Sequence, residues 1–239
     1  MSMTLSIRLE DILAVLEQGK TLADVGCDHG YLAMEAVRRG ICRRVIASDV
    51  RRGPLERARE HIERAGLQDS IELKLRSGLE GLRRGEADLC VIAGMGGRLI
   101  SEILTAALED PDNGIHGLKQ LVLEPQSELF LVRRTLREHG WCIRDERLSV
   151  DREKTYFILD CVRNDDFQPE NTSGGVDDRF SLPLLKRRDP LYRELLLNQL
   201  RKNEQIRDSL DPGSHKLRTR IRELTEESET IRKVLETWY

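Results

Sequence analysis

The sequence predicts an α/β fold, a mostly parallel sheet of seven strands with helices between them, followed by a helical hairpin. Three observations predict it. Short apolar runs alternate with stretches of helical periodicity from Leu5 to Val162, which is the pattern of βαβ units. Two strand-like stretches close that region with only a polar link between them, which suggests an antiparallel edge. Beyond a polar segment the apolar residues fall into heptads, as in two helices packed along one seam.

Each element has its own signal. Leu5, Leu9, Ile12, Leu13 and Leu16 recur at helical spacing and Gly19 stops that helix. Thr21 to Val25 is the first strand, ending in Gly26, and Tyr31 to Arg39 is a helix closed by Gly40. Arg44 to Ser48 is the second strand, ending at Asp49. Pro54 to Ala65 is a helix with proline in its first turn and Gly66 past its end. Ile71 to Leu75 and Ala87 to Ala93 are the third and fourth strands, the latter ending at Gly94. Leu99 to Leu108 is helical, Gln120 to Leu123 is the fifth strand, and Glu128 to His139 is a helix closed by Gly140. Trp141 to Leu148 and Thr155 to Val162 are the last two strands, linked by the polar stretch Ser149 to Lys154.

The chain divides at the polar stretch Asn164 to Asp178. We read residues 1–163 as the main domain, 164–183 as a linker and 184–239 as the hairpin. In the hairpin, Leu217, Ile221, Leu224, Ile231 and Leu235 form one stripe, with Ser228 in an apolar slot. Tyr192, Leu196, Ile206 and Leu210 form the other, interrupted by Gln199 and Asn203. Asp211 to Ser214 is the turn, with Ser214 as N-cap. Such a hairpin serves either as a dimer-forming or stabilising appendage or as an arm gripping an extended substrate.

Composition narrows the class. Of the 239 residues, 39% are hydrophobic and 34% charged, which suits a soluble globular protein. No apolar run reaches membrane-spanning length, and Arg8, Glu10 and Asp11 interrupt the N-terminal stretch, unlike an export signal. A cytoplasmic location is expected. The five cysteines, Cys27, Cys42, Cys90, Cys142 and Cys161, contain no CxxC pair, so free thiols and no metal site are expected. The net charge of −3 is not that of a strongly basic nucleic-acid binder. Paired arginines such as Arg51-Arg52 and Arg83-Arg84 are either solvated surface or a local basic face. No oligomeric state is indicated.

Four strand ends carry candidate chemistry. In the first, Asp24-Val25-Gly26-Cys27-Asp28-His29-Gly30, glycines let the backbone approach a cofactor. Carboxylates in such a loop repel a pyrophosphate but suit a sulfonium and an α-amino group. Asp24 and Asp28 therefore argue for S-adenosylmethionine and against a nicotinamide dinucleotide. Asp49 ends the second strand, where an acid accepts from both ribose hydroxyls or else favours a helix dipole. Gly94-Met95-Gly96-Gly97 is read as a turn leaving room for a flat base near the methyl donor. It replaces the Asn/Asp-Pro-Pro-Tyr type of segment that binds an exocyclic amine. Glu124-Pro125-Gln126-Ser127 lies on the same rim, where Glu124 and Gln126 could meet the substrate.

Seven strands with an antiparallel edge resemble the Rossmann-like sheet of class I methyltransferases. Further, Arg8-Leu9, Ala23 to Leu32 (ADVGCDHGYL), Ile92 to Gly97 (IAGMGG) and Trp141 to Tyr156 together resemble the bacterial tRNA adenine-N1 methyltransferases that act at adenosine 22. The resemblance spans residues 5–163 and extends to the helical hairpin. It implies methyl transfer from S-adenosylmethionine to N1 of adenosine 22 in tRNA. It also implies a cofactor site of Asp24, Gly26, Asp28, Gly30, Asp49, Ser77, Gly78 and Gly94, and substrate contacts from Met95, Gly96, Glu124 and Gln126. Asp28 would tolerate the charge developing on the base and His29 would contact it, unless that histidine only satisfies local backbone groups. This chain has Arg76-Ser77-Gly78-Leu79 where the family has Gly-Asp-Gly-Leu, and Glu124-Pro125-Gln126 where it often has Gln-Pro-Asn. A small-molecule methyltransferase and a non-catalytic cofactor- or RNA-binding module are the rival readings.

Overall fold

The computed structural model describes residues 5–163, 178–211 and 215–239. Of the expected linker at 164–183, residues 164–177 lie outside them, as does the proposed cap at Ser214; the linker's last two residues already belong to a short helix, Leu182–Lys186. The chain forms two compact units, Met1–Phe180 and Ser181–Tyr239.

The first unit is built on a seven-stranded sheet. Its strands are β1 (Thr21–Val25), β2 (Arg44–Asp49), β3 (Ile71–Leu75), β4 (Leu89–Met95), β5 (Gln120–Pro125), β6 (Trp141–Asp151) and β7 (Lys154–Arg163). The order is β3-β2-β1-β4-β5-β7-β6. β1 to β5 are parallel, and β7 is antiparallel to both β5 and β6. The helices are α1 (Ile7–Val15), α2 (Tyr31–Arg38), α3 (Arg52–Ala65), α4 (Gly97–Glu109) and α5 (Leu129–Glu138). Both faces of the sheet are covered, so its central strands are mostly apolar, with buried polar residues such as Asp24, Asp49 and Glu124 toward their carboxyl ends. Leu22, Val45, Ala47, Val91 and Val122 share one core with Ile12, Leu32 and Ile62 of the first three helices. The alternating residues Ala23, Val25, Ile46, Cys90, Ile92 and Leu123 pack with Ile100, Leu104 and Val132 of α4 and α5.

Three local readings need correction. β4 does not stop before Gly94: it runs on to Met95, which pairs with Pro125 beyond a register shift between Ala93 and Met95. Gly96 then caps α4, and Gly97 is its first residue. The strand passes into the helix with no separate glycine turn. A β-carbon on Gly97 would collide with the Ser127 and Glu128 carbonyls, so glycine serves there to let α4 close on the loop after β5. The last two strands are also longer than expected, because the polar link Ser149 to Lys154 is mostly strand. Only Arg152 and Glu153 turn, both with positive φ (48° and 66°), the geometry of a two-residue type I′ hairpin. Finally, a short 3₁₀ helix at Gly114–Gly117 carried no apolar period to announce it.

The second unit contains α6 (Leu182–Lys186), α7 (Pro190–Ser209) and α8 (His215–Trp238). Asp189 caps α7 through the Tyr192 N–H, with Pro190 just inside. Tyr192, Leu196, Leu224 and Ile231 are buried on the α7–α8 seam, and so are Asn203 and Ser228.

Candidate active site

In an open parallel sheet, ligands bind beyond the carboxyl ends of the strands where the chain reverses its winding. Here that point lies between β1 and β4. A cavity of about 500 Å³ opens there, ample for a nucleoside-sized ligand.

Its floor is the loop after β1. The Ser48 carbonyl accepts hydrogen bonds from the Gly26 and Cys27 N–H groups at 2.8 and 2.9 Å, tying the loop to the end of β2. Gly26 has φ +75°, and a β-carbon there would strike the Met95 side chain. Asp24 lies beneath, 4% exposed. The Ala33 N–H donates to its carboxylate, but Oδ2 is buried without a partner. Burial, reinforced by neighbouring Asp49, pushes its carboxyl up to about 7 despite that hydrogen bond. A buried acid with an unmet acceptor at a cavity wall matches a cationic or amino ligand group. Asp49 is also buried. One oxygen accepts from the Arg51 N–H at 2.9 Å, and its side chain lines the same cavity.

Asp28 takes an αL conformation, φ 47°, and its side chain sits at the mouth, 56% exposed. It lies 3.5 Å from His29 Nε2 and 3.7 Å from Arg57. His29, Tyr31 and His61 form a near-parallel ring cluster, with centroids 5.1 to 5.7 Å apart. His61, from α3, also bonds the His29 carbonyl through Nδ1 at 3.0 Å.

The structure thus brings Asp24, Gly26, Asp28, His29, Asp49, Ser77, Gly78, Gly94, Met95 and Gln126 to one cavity. It leaves three expected residues out of the lining. Gly30 caps α2 and faces Ala58 and Ile62 of α3. Gly96 caps α4 and faces Ser127. Glu124 is fully buried behind the strand end, where Oε2 accepts from the Gly94 N–H at 2.8 Å and from Arg8 at 2.6 Å. Burial pushes its carboxyl up against the pull of Arg8. These two bonds tie the end of β5 to β4 and α1, and Oε1 is buried without a partner.

The cavity also holds Arg8, Tyr31 and Arg76, which sequence reasoning did not assign to a site. Arg8 arrives from α1, bonded to Glu124 and lying over Tyr156 at 5.5 Å, and such a convergence has no signal in local spacing. Four of the five thiols are buried, and burial pushes Cys27, Cys42, Cys90 and Cys161 all upward, while Cys142 is exposed and outside the cavity lining. Among the described residues no His, Cys, Asp and Glu cluster could hold a metal, and no helix is long and apolar enough to cross a membrane.

Comparison with known proteins gives this geometry a context. Residues 5–159 match the family described as a methyltransferase domain. Over 237 residues the chain is 28% identical to the tRNA (adenine(22)-N(1))-methyltransferase of Bacillus subtilis, covering 97% of each chain. It resembles the crystal structure of the B. subtilis M1A22 tRNA methyltransferase TrmK with a TM-score of 0.82 at 27% identity, over 98% of this chain and 100% of the other. It resembles Streptococcus pneumoniae Sp1610 in complex with S-adenosyl-L-methionine with a TM-score of 0.82 at 30% identity, over 97% and 100% of the two chains.

Proposed function

Because the chain belongs to the methyltransferase-domain family, and within it to the tRNA (adenine(22)-N1)-methyltransferases, we propose that the cavity between β1 and β4 is where it methylates N1 of adenosine 22 in tRNA. The observation that carries this reading is the buried, unpartnered Asp24 Oδ2 beside Asp49 in that cavity. Asp24 would take the amino group of S-adenosylmethionine and Asp49 the ribose hydroxyls. Gly26 and Gly94 would leave room for the cofactor, with Ser77 and Gly78 near its base.

When bound, the cofactor supplies a methyl group on a sulfonium. The N1–methyl bond forms as the sulfur–methyl bond breaks, and the positive charge passes from sulfur to the base. N1 of adenine has an in-plane lone pair and no proton, so the protein needs no general base for attack. Its task is to position the base and to stabilise the charge appearing on it. Asp28 stands at the mouth for the second task, with His29 and Arg57 fixing its place. The His29–Tyr31–His61 rings offer a stacking surface to the base, while Met95 and Gln126 line its approach. Exposed Arg51, Arg57 and Arg98 supply local positive charge for phosphates despite the net charge of −3. The target nucleotide leaves its stack to enter. A protein working on tRNA in this way would be cytoplasmic.

The test is nucleoside mass spectrometry of an unmodified tRNA transcript incubated with the protein and S-adenosylmethionine. 1-Methyladenosine at position 22 is expected. N6-methyladenosine or a methylated guanosine instead would overturn the reading.

A further inference from the structure

We infer that the base end of the cofactor pocket is read by hydrogen-bond donors, chiefly the Arg76 guanidinium, so that the pocket accepts a deaminated purine as readily as adenine. This rests on the S-adenosylmethionine reading above.

The order of the strands sets the direction in which a bound ligand extends. From the reversal point outward the sheet runs β1, β2, β3. The unmet acid Asp24 stands next to last in β1, Asp49 ends β2, and Arg76 to Gly78 follow β3. A ligand with its amino end at Asp24 and its ribose at Asp49 therefore extends its base toward the end of β3. Exposed Val50 and Leu99 line that side, with Ile103 packed against Gly78, and they provide apolar surface for a flat ring.

The polar groups at that corner are one-sided. Among the described residues lining the cavity, the carboxylates are Asp24, Asp28 and Asp49, all within or following β1 or ending β2. None follows β3. Arg76 stands there instead, held by its own N–H on the Asp49 carbonyl at 3.1 Å. Its Nε and Nη2 are buried with no hydrogen-bond partner, and Glu72 and Glu86 act on it only through space. Unpaired buried donors of a cation are costly, and a guanidinium has no acceptor atom. The ligand that relieves it presents acceptors. Purines do so at their ring nitrogens, and a 6-oxo purine adds a carbonyl of the kind arginine commonly bonds. An adenine amino group meets no acidic acceptor at this corner, so its loss should go unpunished. Ser77 offers only a hydroxyl, which serves as donor or acceptor.

Calorimetry on the full-length protein tests this with S-adenosyl-L-homocysteine and S-inosyl-L-homocysteine. The unaltered protein should bind both within about threefold, because the hydrogen bond lost at one atom is regained at another. Arg76→Met keeps an apolar stem and should weaken both, the inosyl ligand by about tenfold more. Ser77→Asp adds an acceptor at the exposed rim and should restore preference for the adenosyl ligand by about tenfold, which also guards against a folding defect in the first variant. Rejection of the inosyl ligand by the unaltered protein, or Arg76→Met leaving the ratio of the two affinities unchanged, would overturn the inference. Failure of the unaltered protein to bind S-adenosyl-L-homocysteine at all would overturn the cofactor reading itself.

Discussion

At the scale of the residue, Asp24 shows how the site opposes the fold. Its carboxyl is held near 7, well above the value of 3.8 expected in the unfolded chain. The folded state therefore binds more protons than the unfolded one between those values, and stability falls as pH rises from about 4 to 7. The full effect above pH 7 is on the order of 4 kcal/mol. Asp24→Asn should thus raise the melting temperature of the ligand-free protein by several degrees at pH 8, with the gain shrinking toward pH 4. The same variant should bind S-adenosyl-L-homocysteine at least tenfold more weakly. The wild-type protein should release a proton on binding near pH 6.5, visible as a dependence of calorimetric heat on buffer ionisation enthalpy, and the variant should not. A variant that melts lower at pH 8, or binds as tightly, would remove Asp24 from this role. Asp49→Ala tests the neighbouring position. Loss of its hydrogen bonds should cost about 1–3 kcal/mol of cofactor binding, and unchanged affinity by calorimetry would take Asp49 out of the site. Both acids were legible in the sequence because a strand end fixes where its last side chain goes. Arg8 and Arg76 were not, since each reaches the cavity through a long side chain whose direction no periodicity encodes. Glu124 was legible as a strand-end acid, but the bonds from Arg8 and the Gly94 N–H that hold it inside were not.

At the scale of the element, the alternation of apolar runs located every strand, because a sheet covered on both faces needs continuous apolar strands. Ends were less legible. Gly94 looked like a stop, yet it sits in a register shift between Ala93 and Met95 and the strand continues to Met95. The polar stretch at Ser149 to Lys154 looked like a loop because an edge hairpin exposes polar side chains while keeping its backbone pairs. The Arg152–Glu153 turn also holds two non-glycine residues at positive φ, a conformation in which asparagine and glycine are favoured. Changing Arg152→Asn and Glu153→Gly together should therefore stabilise the unit by about 1 kcal/mol, or roughly 2–4 °C in melting temperature. Methylation of tRNA should be unchanged, because the turn joins β7 to the edge strand β6 and does not line the cavity. A drop in melting temperature would mean that the turn residues hold contacts worth more than their strain.

At the scale of the whole molecule, the two units raise the question of what each is for. The residues of the cofactor cavity all belong to Met1–Phe180, and that unit's last described residues are bound into it, with Asp178 accepting from Arg133 and Arg137. We therefore expect the chain ending at Phe180 to fold and to bind S-adenosyl-L-homocysteine as the full protein does. The helical unit buries polar groups among its apolar ones. Asn203 and Ser228 are buried in it, with Asn203 Nδ2 and Ser228 Oγ lacking partners, and buried polar groups of this kind lower stability while fixing the register of paired helices. A hairpin that gives up stability for a fixed register suits a rigid arm better than a mere stabilising clamp. The shortened chain should then keep its cofactor affinity and lose tRNA affinity by tenfold or more in a filter-binding or fluorescence titration at fixed ionic strength, since salt alone moves such values. Equal tRNA binding and equal methylation by the shortened chain would assign the helical unit no substrate role. Loss of cofactor binding with it would show that the boundary at Phe180 cuts through one folding unit.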